Sequence, residues 1–178
     1  QQSPAMTNAA QTITPEPRGP DNTGLPKVAL AHDWLCGFRG GEAVLDHVAR
    51  LLTAAEATPD DLLSADGVIF ACPENLASMA GVMKDFFDRA YYPALGRMEG
   101  RPYAAMVCAG SDGEGAARQI ARIATGWRMK AVADPLILCT HAQTPEEILA
   151  PKTIAPEALA RCHDIGLALA AGLAMGVY

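Results

Sequence analysis

Three loops hold the residues whose types and spacing suit chemistry, and in each the working atoms are backbone amides more than side chains. The first is Glu74-Asn75-Leu76-Ala77-Ser78-Met79-Ala80-Gly81, small and polar, set between an apolar run and a helical pattern. The second is Gly110-Ser111-Asp112-Gly113-Glu114-Gly115, whose three glycines permit positive φ and close backbone approach to a ligand. In the third, Arg39-Gly40-Gly41, a guanidinium beside two flexible amides can neutralise a phosphate. Asp112 and Glu114 make the second loop a poor home for a phosphate, whereas an uncharged ring edge is tolerable there. No Ser-His-Asp pattern and no paired-carboxylate signature occurs, so no protein nucleophile or general base is implied. His141 closes a strand, where it can act as an acid-base group or make a structural hydrogen bond. His47 and His163 fall on helical stretches and read as solvated.

The elements that position these loops alternate between strand and helix. Gly67-Val68-Ile69-Phe70-Ala71-Cys72 reads as a buried parallel strand. It is expected to stop at Pro73, which has no amide hydrogen to donate. A helix follows with Val82, Met83, Phe86, Phe87 and Ala90 on its apolar face. Residues 91–97 read as a turn-bearing connection, 101–109 as the next strand and 116–126 as a helix capped by Ser111 or Asp112. Residues 129–139 form the last strand, with Pro135 marking a bend or an edge position, and 156–175 the final helix.

Before the first loop the pattern is less regular. Residues 27–32 form an apolar run that reads as strand one, and 43 to about 52 carry a helical pattern. The space left before Asp66 is tight, so the second strand, around Leu51-Leu52-Thr53-Ala54, is expected to be short or missing. Thr58 with Pro59 is a good helix start. A strand that ends in a loop opening a helix is where open α/β sheets bind ligands.

Composition bounds the function classes. A length of 178 residues, half of them apolar and 19% charged, suits one globular domain. Residues 1–26 are rich in Pro, Thr, Asn and Gln and read as a disordered tail, which leaves 27–178 as the domain and 27–50 as its atypical amino-terminal segment. The net charge of −6 argues against nucleic acid as a partner. No apolar run is long enough for a bilayer, and the tail lacks the apolar core of a secretory signal. The five cysteines are odd in number and contain no CxxC, so neither a disulfide framework nor a zinc site is expected; a reducing, cytoplasmic location is. The broad apolar face of the final helix leaves a surplus for a homo-oligomer surface.

The pattern D-G-apolar-apolar-F-x-x-P-x-x-x-x-S-x-x-G-x-x-K-x-F-x-D-R, from Asp66 to Arg89, resembles the flavodoxin-like NAD(P)H-dependent flavin and quinone reductases, a likeness that covers about residues 51–178. It implies a three-layer α/β sandwich around a doubly wound parallel sheet of four to five strands. It also implies non-covalent FMN, NAD(P)H as electron donor and a quinone or similar small molecule as acceptor. Carried over by position, the loop that wraps the flavin is Pro73, Glu74, Asn75, Leu76, Ala77, Ser78 and Met79. Ala109, Gly110, Ser111, Asp112 and Gly113 flank the ring's far side, so the two turns should lie side by side at the sheet's carboxyl rim and clasp it. The hydroxyl-rich phosphate loop of that family is absent, since no Ser or Thr lies between His32 and Glu42. Arg39, Gly40 and Gly41 are left as the phosphate-binding candidates. Residues 27–46 instead resemble the opening of family-4 glycosyltransferases. Two other readings follow: a flavodoxin-like scaffold that has lost FMN and acts through protein contacts, and a fragment of a sugar-nucleotide transferase.

Overall fold

The computed structural model describes residues 27–32 and 49–178. The sheet begins with β1 (Val28–His32), whose neighbours are β2 (Ala49–Thr53) on one side and β3 (Gly67–Asn75) on the other, both parallel. β5 (Pro102–Ala109) lies parallel to β3 on its far side. The last position is shared by two short pieces parallel to β5, β6 (Lys130–Ala131) and β7 (Leu136–Cys139). The order β2-β1-β3-β5, then β6 and β7, is that of a flavodoxin-like doubly wound sheet, in which the strand order reverses between β1 and β3.

β2 is present, five residues long at the sheet edge, so Ala49 to Leu52 form strand where a helix was expected. Its connection to β3 holds one short helix, α1 (Pro59–Ser64). The Thr58 hydroxyl accepts the Asp61 amide while the Asp61 carboxylate accepts the Thr58 amide, a reciprocal cap that starts the helix where the sequence placed it. At the other end, Arg101 Nη1 donates to the carbonyls of Leu62, Leu63 and Ala65, which satisfies acceptors that the helix leaves unpaired.

Alternation along β3 builds three layers. Val68, Phe70 and Cys72 face one side, where α2 (Gly81–Ala94) and α3 (Glu114–Gly126) cover them; Ile69 faces the other, beneath α5 (Pro156–Ala174). The α2–α3 side is an aromatic core. Phe70 meets Phe87 at 5.0 Å between centroids, Phe87 meets Trp127 at 5.6 Å, and Tyr91 stacks on Trp127 at 5.7 Å. Such pairs add about 0.5–1.5 kcal/mol each beyond the area they bury.

Several local expectations change. Val82 is exposed, and the buried face of α2 is Met83, Phe86, Phe87, Ala90 and Ala94. The helix runs through Tyr91, Tyr92 and Pro93, because Tyr91 and Ala94 bury against the core and outweigh the single backbone bond that Pro93 forfeits. The last strand breaks between β6 and β7 around Pro135, which cannot donate to the ladder. The final helix ends at Ala174.

Candidate functional site

The carboxyl ends of β3 and β5 deliver the first two candidate loops to one rim of the sheet. β3 does not stop at Pro73. It runs on to Asn75, turns within two residues and returns as β4 (Ser78–Met79), antiparallel to it. The missing amide is harmless because β1 has already ended opposite Ala71. On that vacated side the Pro73 carbonyl accepts the Ala80 amide at 3.1 Å instead. What the sequence presents as a loop is thus a tight hairpin, with Leu76 (φ 52°) and Ala77 (φ 59°) at its tip in the left-handed region. Two-residue hairpins need this backbone, and normally use Gly or Asn to reach it. Leu76 is wholly exposed, at 102%.

The second turn leaves β5 at Ala109 and opens α3 through Gly113, whose φ of 81° makes it the left-handed residue before the helix. No side chain of its own turn occupies the usual capping position. Asp112 accepts the Glu114 amide, and Glu74 reaches across from the hairpin to complete the cap. Glu74 Oε2 accepts the Gly113 amide at 2.9 Å and Oε1 accepts the Ala116 amide at 3.1 Å. Both oxygens are therefore aimed at a helix N-terminus, where a carboxylate is favoured.

From α3 the reverse contact runs back. Gln119 Oε1 accepts the Ser78 hydroxyl at 2.9 Å and the Met79 amide at 3.0 Å. The structure thus brings Pro73–Met79 and Ala109–Gly113 together, but in direct contact: a Cβ on Gly115 would stand 2.2 Å from the Ala77 carbonyl oxygen. The Glu74 carboxylate fills the space between them, so a ring would have to rest across their solvent side and not in a slot between them. Gln119 was missed by sequence reasoning. It lies on an ordinary helical face, and nothing local marks its partner 41 residues away.

The remaining candidates divide. Arg39, Gly40 and Gly41 lie outside the described residues, as do Cys36 and His47. His141 is exposed just past β7, with φ 57°, in a loop fastened to the second turn where Thr140 donates to the Ala109 carbonyl. His163 is exposed on α5. Burial pushes the Cys108 thiol up, helped by the neighbouring Cys162 and Cys139, and burial likewise pushes up Cys162. Raised thiols are poor nucleophiles, in keeping with a site that works through its backbone.

FMN fits this rim. Of the three acids in the turns, Glu74 and Asp112 are turned onto backbone amides. Among the described residues, the amides of Leu76, Ala77 and Ser111 meet no acceptor. An uncharged ring with polar atoms along one edge matches exposed amides beside small side chains.

A family model for NADPH-dependent FMN reductases matches residues 36–144, more than half of the chain. The chain belongs to this family. The family takes its description from FMN and NADPH. The matched span includes the hairpin, the second turn and Arg39-Gly40-Gly41, and it begins inside the stretch that resembles a glycosyltransferase.

Among curated proteins the chain is similar to an NAD(P)H dehydrogenase (quinone) of Acidithiobacillus ferrooxidans, 44% identical over 43 residues. That match covers 24% of this chain and 22% of the relative, so the chain spans about a fifth of the curated protein it matches. Solved structures share the fold. An archaeal flavodoxin superposes with a TM-score of 0.60 at 17% identity, over 81% of this chain and 96% of that one. An oxidoreductase from Corynebacterium diphtheriae gives 0.59 at 17% identity, over 83% and 96%. The rubredoxin oxygen:oxidoreductase of Desulfovibrio gigas gives 0.65 at 13% identity, over 86% of this chain and 38% of the larger protein.

Proposed function

We propose that this protein is an FMN-dependent oxidoreductase that passes electrons from NAD(P)H to a quinone or a similar small acceptor. The observation that carries the reading is the joined pair of backbone-lined turns at the carboxyl rim of a flavodoxin-like sheet, in a chain of the FMN reductase family. Bound FMN supplies the redox chemistry by taking a hydride and releasing electrons. The protein's share is placement. The amides of Leu76, Ala77 and Ser111 would donate to the polar edge of the ring, and Gly110 would keep the backbone close to it. Arg39 with the amides of Gly40 and Gly41 would hold the phosphate, in place of the hydroxyl-rich loop this chain lacks. Leu76 would offer an apolar edge to an aromatic acceptor. The quinone is favoured by the named activity of the bacterial relative matched over 43 residues.

The test is a titration of the purified protein with FMN, followed by NAD(P)H oxidation with a quinone present. Quenched flavin fluorescence and quinone-dependent turnover are expected. Unchanged fluorescence would remove the enzyme reading and favour a scaffold without cofactor, the reading that the missing hydroxyls between His32 and Glu42 support.

We place the folded domain at 27–178, behind a tail at 1–26. We also propose a homo-oligomer, on the strength of the apolar side chains that α5 and the residues after it leave exposed: Leu167, Met175 and Val177. Light scattering on the full chain checks it. Cys108, Cys139 and Cys162 form no disulfide, which suits a reducing, cytoplasmic compartment. Among the described residues no helix is long and apolar enough to cross a membrane.

A further inference from the structure

We infer that Glu74 is a positioning residue: with Gln119 and Gly115 it locks the hairpin and the second turn into one rigid rim, so that FMN meets a preformed surface. The inference rests on the reading that FMN lies across these two turns.

The hairpin has a feature that calls for a support. Its two tip residues, Leu76 and Ala77, are both left-handed without being glycine, a backbone that L side chains disfavour. Two residue pairs of ladder, Glu74 with Met79 and Asn75 with Ser78, and one bond beyond them, from the Ala80 amide to the Pro73 carbonyl, hold it closed. A ladder that short is weak by itself. The additional restraint comes from α3 and is reciprocal. Glu74 of the hairpin accepts the Gly113 and Ala116 amides of the second turn and helix, and Gln119 of the helix accepts the Ser78 hydroxyl and Met79 amide of the hairpin.

These four bonds cross between the same two segments in both directions, so neither segment can shift without breaking bonds of both donors and acceptors. Gly115 lets them close up. Its Cα lies against the Ala77 carbonyl, and a methyl group there would meet that oxygen at 2.2 Å and Glu74 Oε1 at 2.9 Å. Unlocked, the two turns would populate many arrangements, and FMN would bind only the fraction with both in place. Apparent affinity falls by that fraction.

The test compares FMN affinity, the visible circular dichroism of the bound flavin, and amide hydrogen exchange in the apo-protein for wild type and three variants of the full chain. Glu74→Ala is expected to weaken FMN about tenfold or more, which corresponds to a competent fraction of one in ten. It should also raise exchange in 74–79 and 113–119 together. Glu74→Gln should fall between, since one amide oxygen must serve where two carboxylate oxygens did. Gly115→Ala wedges the turns apart with the carboxylate intact and should weaken FMN to a similar degree. That sign is diagnostic, because Ala in place of Gly ordinarily favours a helix.

Wild-type affinity and dichroism in both Glu74→Ala and Gly115→Ala would overturn the inference. Should wild type itself not bind FMN, the functional reading fails separately. Exchange in the apo-protein then still decides the lock, which is wrong if Glu74→Ala leaves either segment as protected as before.

Discussion

The two turns at the rim reach left-handed backbone by opposite means. The second turn spends a glycine on it: Gly113, at φ 81°, is packed so closely that an added Cβ would lie 2.5 Å from Ile137 Cγ2. The hairpin uses Leu76 and Ala77, which gain nothing locally from that conformation and stand in solvent or against Gly115. One turn carries its geometry in its own residue types. The other borrows it from bonds made to α3. A glycine therefore marks a turn that sequence can identify, and its absence does not mark a turn that is missing.

Exchanging the residue types should break the contrast in opposite directions. Gly113→Ala is expected to have the largest effect, a loss of about 3 kcal/mol from left-handed strain and overpacking against Ile137, seen as a lower urea midpoint with an unchanged slope. Ser78→Ala removes the hydroxyl that donates to Gln119 and should cost about 1 kcal/mol in the same assay. Ala77→Gly should instead raise stability by about 0.5 kcal/mol, since the relief of left-handed strain slightly exceeds the entropy gained by the unfolded chain. A loss of stability on Ala77→Gly would mean that the tip is not strained, and the contrast would lapse.

Leu76→Ser sharpens the functional side. The side chain is fully exposed, so stability should stay within about 0.5 kcal/mol. In the proposed reaction the KM for an apolar quinone should rise about threefold with kcat unchanged, the signature of a lost apolar contact shared by ground and transition states.

A third rim segment supplies the smallest effect. In α4 (Pro145–Leu149) the cap is local: the Glu147 carboxylate accepts the Gln143 and Thr144 amides, which hold its pKa below the usual range, with Lys152 adding to the effect. The folded value lies below the unfolded one, so this contribution is fully present above the ordinary glutamate range and is lost as pH falls through the folded value. Amides of 145–149 should therefore exchange faster in acid, and Glu147→Gln should remove that dependence.

The same pairing of caps explains what could be read in advance. Thr58 with Asp61 closes a cap within three residues, and Pro59 fits its first turn, so α1 was legible. The cap of α3 comes from a carboxylate 39 residues back, on a strand four elements earlier, and no local pattern announces it. Tyr91 to Ala94 were expected to belong to a turn-bearing connection, yet the aromatic core recruits them into α2. In each case a contact remote in sequence outweighed a local propensity.

By itself the sequence determined the alternation of strand and helix, because apolar periodicity and caps act over a few residues. It also determined which loops fall at strand ends, and its family pattern pointed to a flavin. Only the tertiary structure decided that β3 passes through Pro73, since that depends on where β1 stops. Only it decided that Glu74 faces a helix end and that the two turns touch. Those outcomes rest on distances between residues some 40 positions apart, fixed when parallel strands align and by nothing in either loop alone.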